Sequence, residues 1–171
     1  MQNLPRDLLE QADFLTRRES KRPRQASLRR AVSTAYYALF HLLNADAVSL
    51  LGPNVKPEIQ HRMRRWFNHG EMKKICGEFA KPSLLAPLKD LVGPAASFDM
   101  QRVALNFVLL QEARHEADYD TSKTLTRTQA QAAVQQAQDA FASWEKIRKS
   151  AEANIFILSL LMWKNWEKER V

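Results

Sequence analysis

Residues 28–53, LRRAVSTAYYALFHLLNADAVSLLGP, bring an apolar side chain round every three or four positions: Leu28, Val32, Ala35, Leu39, Leu42 with Leu43, Ala47 and Leu50. That step matches the turn of an α-helix and not the two-residue repeat of a strand. Gly52-Pro53 then closes the segment, because glycine ends helices easily and proline cannot extend one. Upstream, Pro5 suits a first helical turn, and Leu8, Leu9, Ala12 and Leu15 follow at helical spacing. This first helix ends in a basic block around Pro23.

Downstream, Pro57 opens a third helix with Ile59, Met63, Phe67 and Ile75 inward and Cys76-Gly77 near its end. Residues 81–97 hold Pro82, Pro87, Gly93 and Pro94, the content of a loop with at most a short helical turn. Ser97 is an N-cap with Asp99 in the first turn, so a fourth helix runs over about 98–120. Thr126 with Gln129 makes a capping box, and from there to residue 171 the chain has neither glycine nor proline. Its inward ladder is Val134, Ala137, Phe141, Trp144, Ile147, Ala151, Ile155, Leu158 and Met162. No stretch alternates with period two and no internal repeat is present, so the pattern predicts an all-α chain of five helices.

Composition fits that fold class. The 171 residues are 45% hydrophobic, enough for a core and incompatible with a wholly disordered chain. Four glycines and seven prolines are too few for a turn-rich sandwich or a glycine-looped nucleotide fold. The net charge of +7 is concentrated: residues 17–30 carry seven basic residues and one acid, leaving only +1 elsewhere. A single cysteine, Cys76, excludes an intramolecular disulfide and a cysteine-built zinc site. Residues 1–14 carry acids and no apolar run, which argues against a secretory signal. The longest apolar stretch, residues 155–163, is well short of the roughly 20 residues that cross a bilayer. The expectation is a cytoplasmic protein of a reducing compartment, without a transmembrane segment.

An unbroken last helix of about 40 residues would reach roughly 60 Å, about twice the diameter of a small domain. Its far end, residues 155–163, is apolar on every face, and such a helix wants burial. Three outcomes are open: folding back on the same core, burial in a partner subunit, or lying on a membrane surface with Trp163, Trp166 and neighbouring lysines. Burial in a partner is favoured, with residues 152–171 as an extended C-terminal helix.

Two segments stand out chemically. On the second helix, Ser33, Tyr37 and His41 follow one another at intervals of four and form a polar line along one face. Tyr36 and Tyr37 point about 100° apart, so one can pack inward while the other faces a groove. The alternative is that both rings are core and a backbone carbonyl satisfies His41. On the fourth helix, the stripe Val103, Phe107, Leu110 continues to Arg114, where an apolar residue is expected. An inward arginine must find an anion or several acceptors. Asp118, one turn on, is one such partner; a bound phosphate or RNA backbone is the other reading.

Elsewhere the chain has no phosphate-binding glycine loop, HExxH, G-x-S-x-G elbow or calcium loop. His61 and His69 lie eight residues apart, too far to share an ion without further ligands, so neither a metal nor a cofactor is expected. Basic residues form two groups: Arg17, Arg18, Lys21, Arg22, Arg24, Arg29 and Arg30, and then Arg62, Arg64, Arg65, Lys73 and Lys74 beside Trp66. Cations with an aromatic ring among them suit a nucleic-acid backbone; a solvated connector and helix face explain them equally.

Ser33-Thr-Ala-Tyr-Tyr-Ala-Leu-Phe-His41, the stretch around His61 to Phe67, and Arg114…Ala117-Asp118-Tyr119 together resemble the HEPN superfamily, in particular its small stand-alone bacterial and archaeal proteins. The likeness covers residues 5 to about 150. It implies one helical up-and-down bundle over residues 1–171 that forms a homodimer. It further implies ribonuclease-like chemistry without metal, binding of RNA or a nucleotide, or a scaffold role, and pairing with a nucleotidyltransferase antitoxin in a defence setting. Active members follow the fourth-helix arginine, four to six residues on, by a histidine. Arginine then holds the scissile phosphate and histidine moves protons. Here Tyr119 occupies that place, and the adjacent His115 points about 100° away. Tyrosine, with a reference pKa near 10, is a poor base at neutral pH. Arg64 and His69 have the spacing, but on the third helix.

The resemblance therefore implies a site with Arg114 as anion anchor, Asp118 orienting it, Tyr119 beside it as a residue a nucleotidyltransferase can modify, and Ser33, Tyr37 and His41 lining a groove. Arg29, Arg30, Arg62, Arg64 and Arg65 would contact nucleic acid. The competing reading is a non-catalytic dimeric interaction protein that works through its last helix.

Overall fold

Gly52 adopts a φ of +79°, a conformation that costs an L side chain dearly, and the helix over residues 25–49 stops just before it. Gly93 does the same for a shorter helix, with φ +118° and its N–H donating to Lys89 O at 2.9 Å. The computed structural model describes the backbone of residues 3–168 and side chains as far as residue 163. Within them are eight helices and no strand: α1 (Leu4–Arg17), α2 (Gln25–Ser49), α3 (Pro57–Trp66), α4 (His69–Phe79), α5 (Ala86–Val92), α6 (Phe98–Tyr119), α7 (Arg127–Ile147) and α8 (Ala151–Lys168).

The all-α class stands, and the count of five is corrected to eight by three features. The predicted third helix breaks at Phe67 and Asn68, where Asn68 turns extended and its Oδ1 accepts the N–H groups of Gly70 and Glu71. An asparagine able to cap competes with helix continuation, and here capping wins. The proline-rich stretch 81–97 holds α5, with Pro87 in its first turn. The long last helix breaks at residues 148–150 without glycine or proline. There the Arg148 side chain turns to Asp46 and Glu145, and Ser150 Oγ accepts the N–H of Ala153 at 3.1 Å to start α8 afresh.

The chain divides into two compact units: residues up to Leu42 with Asn106–Ala142, and Leu43–Leu105 with the residues from Ser143 onward. Helices α2, α6 and α7 contribute to both.

In the first unit, Ala12 and Leu15 of α1, Leu28, Val32, Ala35 and Leu39 of α2, Phe107 and Leu110 of α6, and Ala130, Val134 and Ala137 of α7 are buried. Each set follows the three-and-four step of one helix face. The capping box at the start of α7 forms in both directions: Gln129 N–H donates to Thr126 Oγ1 at 3.2 Å, and Thr126 N–H to Gln129 Oε1 at 2.8 Å. Gln25 clasps the chain before it, donating Nε2–H to Leu125 O at 2.8 Å and accepting Leu125 N–H at 2.9 Å.

In the second unit, Trp144, Phe79, Phe156, Met72, Ile75 and Leu88 are wholly buried. The Phe156 ring meets Phe79 edge-on at 5.0 Å and Trp144 at 6.0 Å between centroids. Trp144 Nε1–H donates to Asp46, which also receives Arg148. Ser97 caps Met100 N–H as expected, and Glu152 of α8 accepts both its hydroxyl and its N–H at 2.7 Å.

The apolar end of the chain thus has a home. Ala153, Phe156, Ile157, Leu160 and Trp163 are buried, and α8 packs on α4 and α5. The expected 60 Å rod and its burial in a partner are corrected: the last helix breaks at residues 148–150, and the buried side chains of α8 pack within its own unit. Among the described apolar side chains of α8, Leu158 and Met162 stay exposed, at 43% and 41%. Trp166 and the lysines invoked for a membrane surface lie outside the described side chains. No described helix is long and apolar enough to cross a membrane.

Candidate anion-binding site on α2 and α6

The polar line on α2 meets the out-of-pattern arginine on α6 within the first unit. Arg114 Nη2–H donates to Tyr37 Oη at 2.8 Å. Its Nε lies 2.7 Å from Asp118 Oδ2, one turn along the same helix. This second contact is an ion pair and not an aligned hydrogen bond, since the Nε–H points off the carboxylate. Asp118 is held in turn by the Ser33 hydroxyl, which donates to its other oxygen. Ser33, Tyr37, Arg114 and Asp118 form one connected set.

Three tyrosine rings surround the guanidinium: Tyr37, Tyr119 and Tyr36 lie 5.4, 5.7 and 5.9 Å from Arg114 Cζ. The two adjacent tyrosines of α2 divide as the helix angle requires. Tyr36 is fully buried against Phe107, 5.5 Å between centroids, and Tyr37 is partly exposed. The Arg114 side chain is 17% exposed. Burial alone lowers its pKa, but the neighbouring Tyr37 phenol and Asp118 carboxylate outweigh that and raise it, so the charge is secure. Tyr37 takes one Nη2 proton and Nε is charge-paired with Asp118 without an aligned hydrogen bond, while Nη1 makes no hydrogen bond among the described residues. A fixed guanidinium with one donor edge remaining is suited to a phosphate or carboxylate.

The other expected residues fall at varying distance from this set. Tyr119 is 66% exposed, its ring tilted by 47° and centred 5.0 Å from that of His115, which is also at the surface. His41 continues the polar line beyond Tyr37, its ring 6.3 Å from that of Tyr37 and 5.3 Å from that of Phe40. Arg30 is exposed on α2. Arg62, Arg64 and Arg65 are exposed on α3 beside Trp66, in the second unit. His61 and His69 sit on different helices, α3 and α4, so the Arg64…His69 spacing straddles a helix break. No group of three His, Cys, Asp or Glu that could hold a metal occurs among the described residues.

Arg29 is engaged inside the fold. Its guanidinium donates to Ala117 O at 2.7 Å, Asp120 O at 3.0 Å and Lys123 O, collecting the carbonyls where α6 ends. It caps α6 just beyond Asp118 and fixes the end that carries the site. The signal for this was in the spacing: Arg29 stands four residues before Ser33, so the line Ser33–Tyr37–His41 begins one turn earlier.

No family model, curated protein or solved structure matches the chain.

Proposed function

We propose that this chain is a HEPN-like, RNA-phosphate-binding helical module whose anion anchor is Arg114. The observation that carries the reading is the oriented guanidinium: Asp118 and Tyr37 fix it, and its Nη1 edge makes no hydrogen bond among the described residues. A purely structural pair needs only one carboxylate, whereas this arginine has three aromatic rings about it. Aromatic and guanidinium groups together suit a phosphate with a base beside it. The exposed cations Arg30, Arg62, Arg64 and Arg65 add attraction for a polyanion independent of sequence. Tyr119 and His115 supply polar edges but no arginine–histidine pair of the spacing that metal-free ribonucleases use, so the reading is binding first. Pairing with a nucleotidyltransferase rests on the resemblance alone.

The test is retention of mixed RNA on a filter in EDTA, at two salt concentrations, for wild type, Arg114→Ala and Arg114→Lys. Retention should fall with salt, and Arg114→Ala should weaken it by about tenfold, the worth of one well-placed phosphate contact. Lysine keeps the charge and loses the fork, so it should recover only part. Equal retention by all three proteins overturns the assignment of Arg114. RNA cleavage that disappears in Arg114→Ala would extend the reading to a nuclease, with His115 and His41 the first candidates for proton transfer.

A further inference from the structure

Within the second unit, the end of α2, the end of α7 and the start of α8 border an open cleft of about 380 Å³. Leu50, Trp144 and Ile157 give it apolar walls. Its charges are unevenly committed. Asp46 accepts Trp144 Nε1–H on one oxygen and Arg148 on the other, and Arg148 also donates to Glu145 at 3.2 Å. The Lys149 side chain, at the same cleft, makes no hydrogen bond or ion pair among the described residues. The lining therefore holds one unbalanced positive charge, and its one carboxylate is already taken. Such a site favours an anion and disfavours a cation.

From the cleft an apolar strip continues along α8. Asn154 lines the cleft, and Leu158 and Met162, both exposed, follow it at steps of four on one helix face. The helix rises about 12 Å from Asn154 to Met162, the length of an extended chain of about ten carbons. A single cation at one end of an apolar strip matches an amphiphile with one anionic head and one chain. A polyanion needs several cations and gains nothing from leucine and methionine. A stable protein interface uses roughly 20–30 residues a side, far more than this surface offers. A bilayer surface would lie across the cleft without filling it.

We propose that the cleft and the α8 strip bind a medium-chain alkyl carboxylate as a free monomer. Its head sits at Lys149 and the Asn154 amide, and its chain runs past Ile157 and Leu158 toward Met162. Burial of the chain supplies the affinity, and Lys149 selects the head group. The proposal goes beyond the RNA reading and does not rest on it, since Arg114 belongs to the other unit.

The experiment is isothermal titration of the full chain with sodium decanoate below its micellar concentration, with circular dichroism of each variant to show that it folds. Decanoate should bind with a Kd on the order of 100 μM. Octanoate should bind about fourfold more weakly, and hexanoate about fourfold more weakly again, as expected for methylenes half-buried on the strip. Decylammonium should bind at least about tenfold more weakly than decanoate. Lys149→Glu should weaken decanoate by about tenfold, and Lys149→Arg should stay within about threefold of wild type. Replacing Leu158 and Met162 together by serine should flatten the chain-length series. No heat of binding with about 1 mM decanoate overturns the proposal. So does equal affinity for the two head groups, a flat chain-length series in wild type, or a Lys149→Glu chain that binds as wild type does. Uptake onto phosphatidylglycerol vesicles without binding of free decanoate overturns it in favour of a membrane surface.

Discussion

The carboxylate of Asp118 stands 2.7 Å from Nε of Arg114 and takes the Ser33 hydroxyl on its other oxygen, joining α6 to α2 through a single side chain. The arginine is the more buried partner, 17% exposed against 30% for the aspartate. Removing the acid therefore costs more than the pair is worth, because a largely desolvated cation stays behind. Asp118→Ala should destabilise the fold by about 1–3 kcal/mol, reduced from the fully buried case by the remaining water access. Asp118→Asn can still accept from Ser33 and loses only the charge, so it should cost less, about 1 kcal/mol. Urea denaturation of the two variants beside Ser33→Ala checks the order; Asp118→Ala within error of wild type would remove the pair's structural role.

Arg29 and Arg30 are neighbours in sequence with opposite roles. Arg29 donates to three carbonyls at the end of α6, and Arg30 is exposed. Arg29→Ala leaves those acceptors to water or to nothing, which should cost about 2–3 kcal/mol and speed amide exchange over residues 117–125. Arg30→Ala should lie within about 0.5 kcal/mol of wild type. If the two substitutions prove equal in thermal unfolding, the capping role of Arg29 falls.

Much of this was legible in the chain. The α2 ladder, the Ser97 cap and the Thr126–Gln129 box are local signals, and the structure uses each of them. Arg114 was legible as an exception to its stripe, and its partner Asp118 by the four-residue step. The break at residues 148–150 was not, because it depends on groups distant in sequence: Asp46 holds Arg148, and Ser97 holds Glu152. Helix propensity alone continues through that point, and tertiary contacts override it. The Asn68 break was legible in principle, since a capping residue stood there, but continuous apolar spacing on both sides concealed it.

The return of α8 onto its own unit gives a sharp contrast between two of its apolar residues. Phe156 is wholly buried between Phe79 and Trp144, and Leu158, two residues on, is 43% exposed. Phe156→Ala should cost about 3–5 kcal/mol, the lost transfer energy plus the cavity left among aromatic rings. Leu158→Ala should cost less than about 1 kcal/mol. Chemical denaturation at low concentration, where any association is absent, measures both. Similar small losses at the two positions would mean that α8 does not cover this core.

Cys76 lies on α4 with no solvent exposure, and burial pushes its thiol pKa well above the ordinary value. The folded state thus holds the neutral thiol, whereas the unfolded chain ionises above about pH 8.5. Stability from this group is fully present below that pH and declines as pH rises beyond it, because only the unfolded state releases the proton. Stability should therefore fall progressively from pH 8 to pH 10. Cys76→Ala should be less stable at neutral pH through its small cavity, yet flatter over the alkaline limb once other groups are matched. Alkylation supplies an independent reading: native protein at pH 8 should resist iodoacetamide and react fully in urea, with a native rate set by the fraction unfolded. Rapid labelling of the native chain would place Cys76 at an opening surface and remove the alkaline prediction with it.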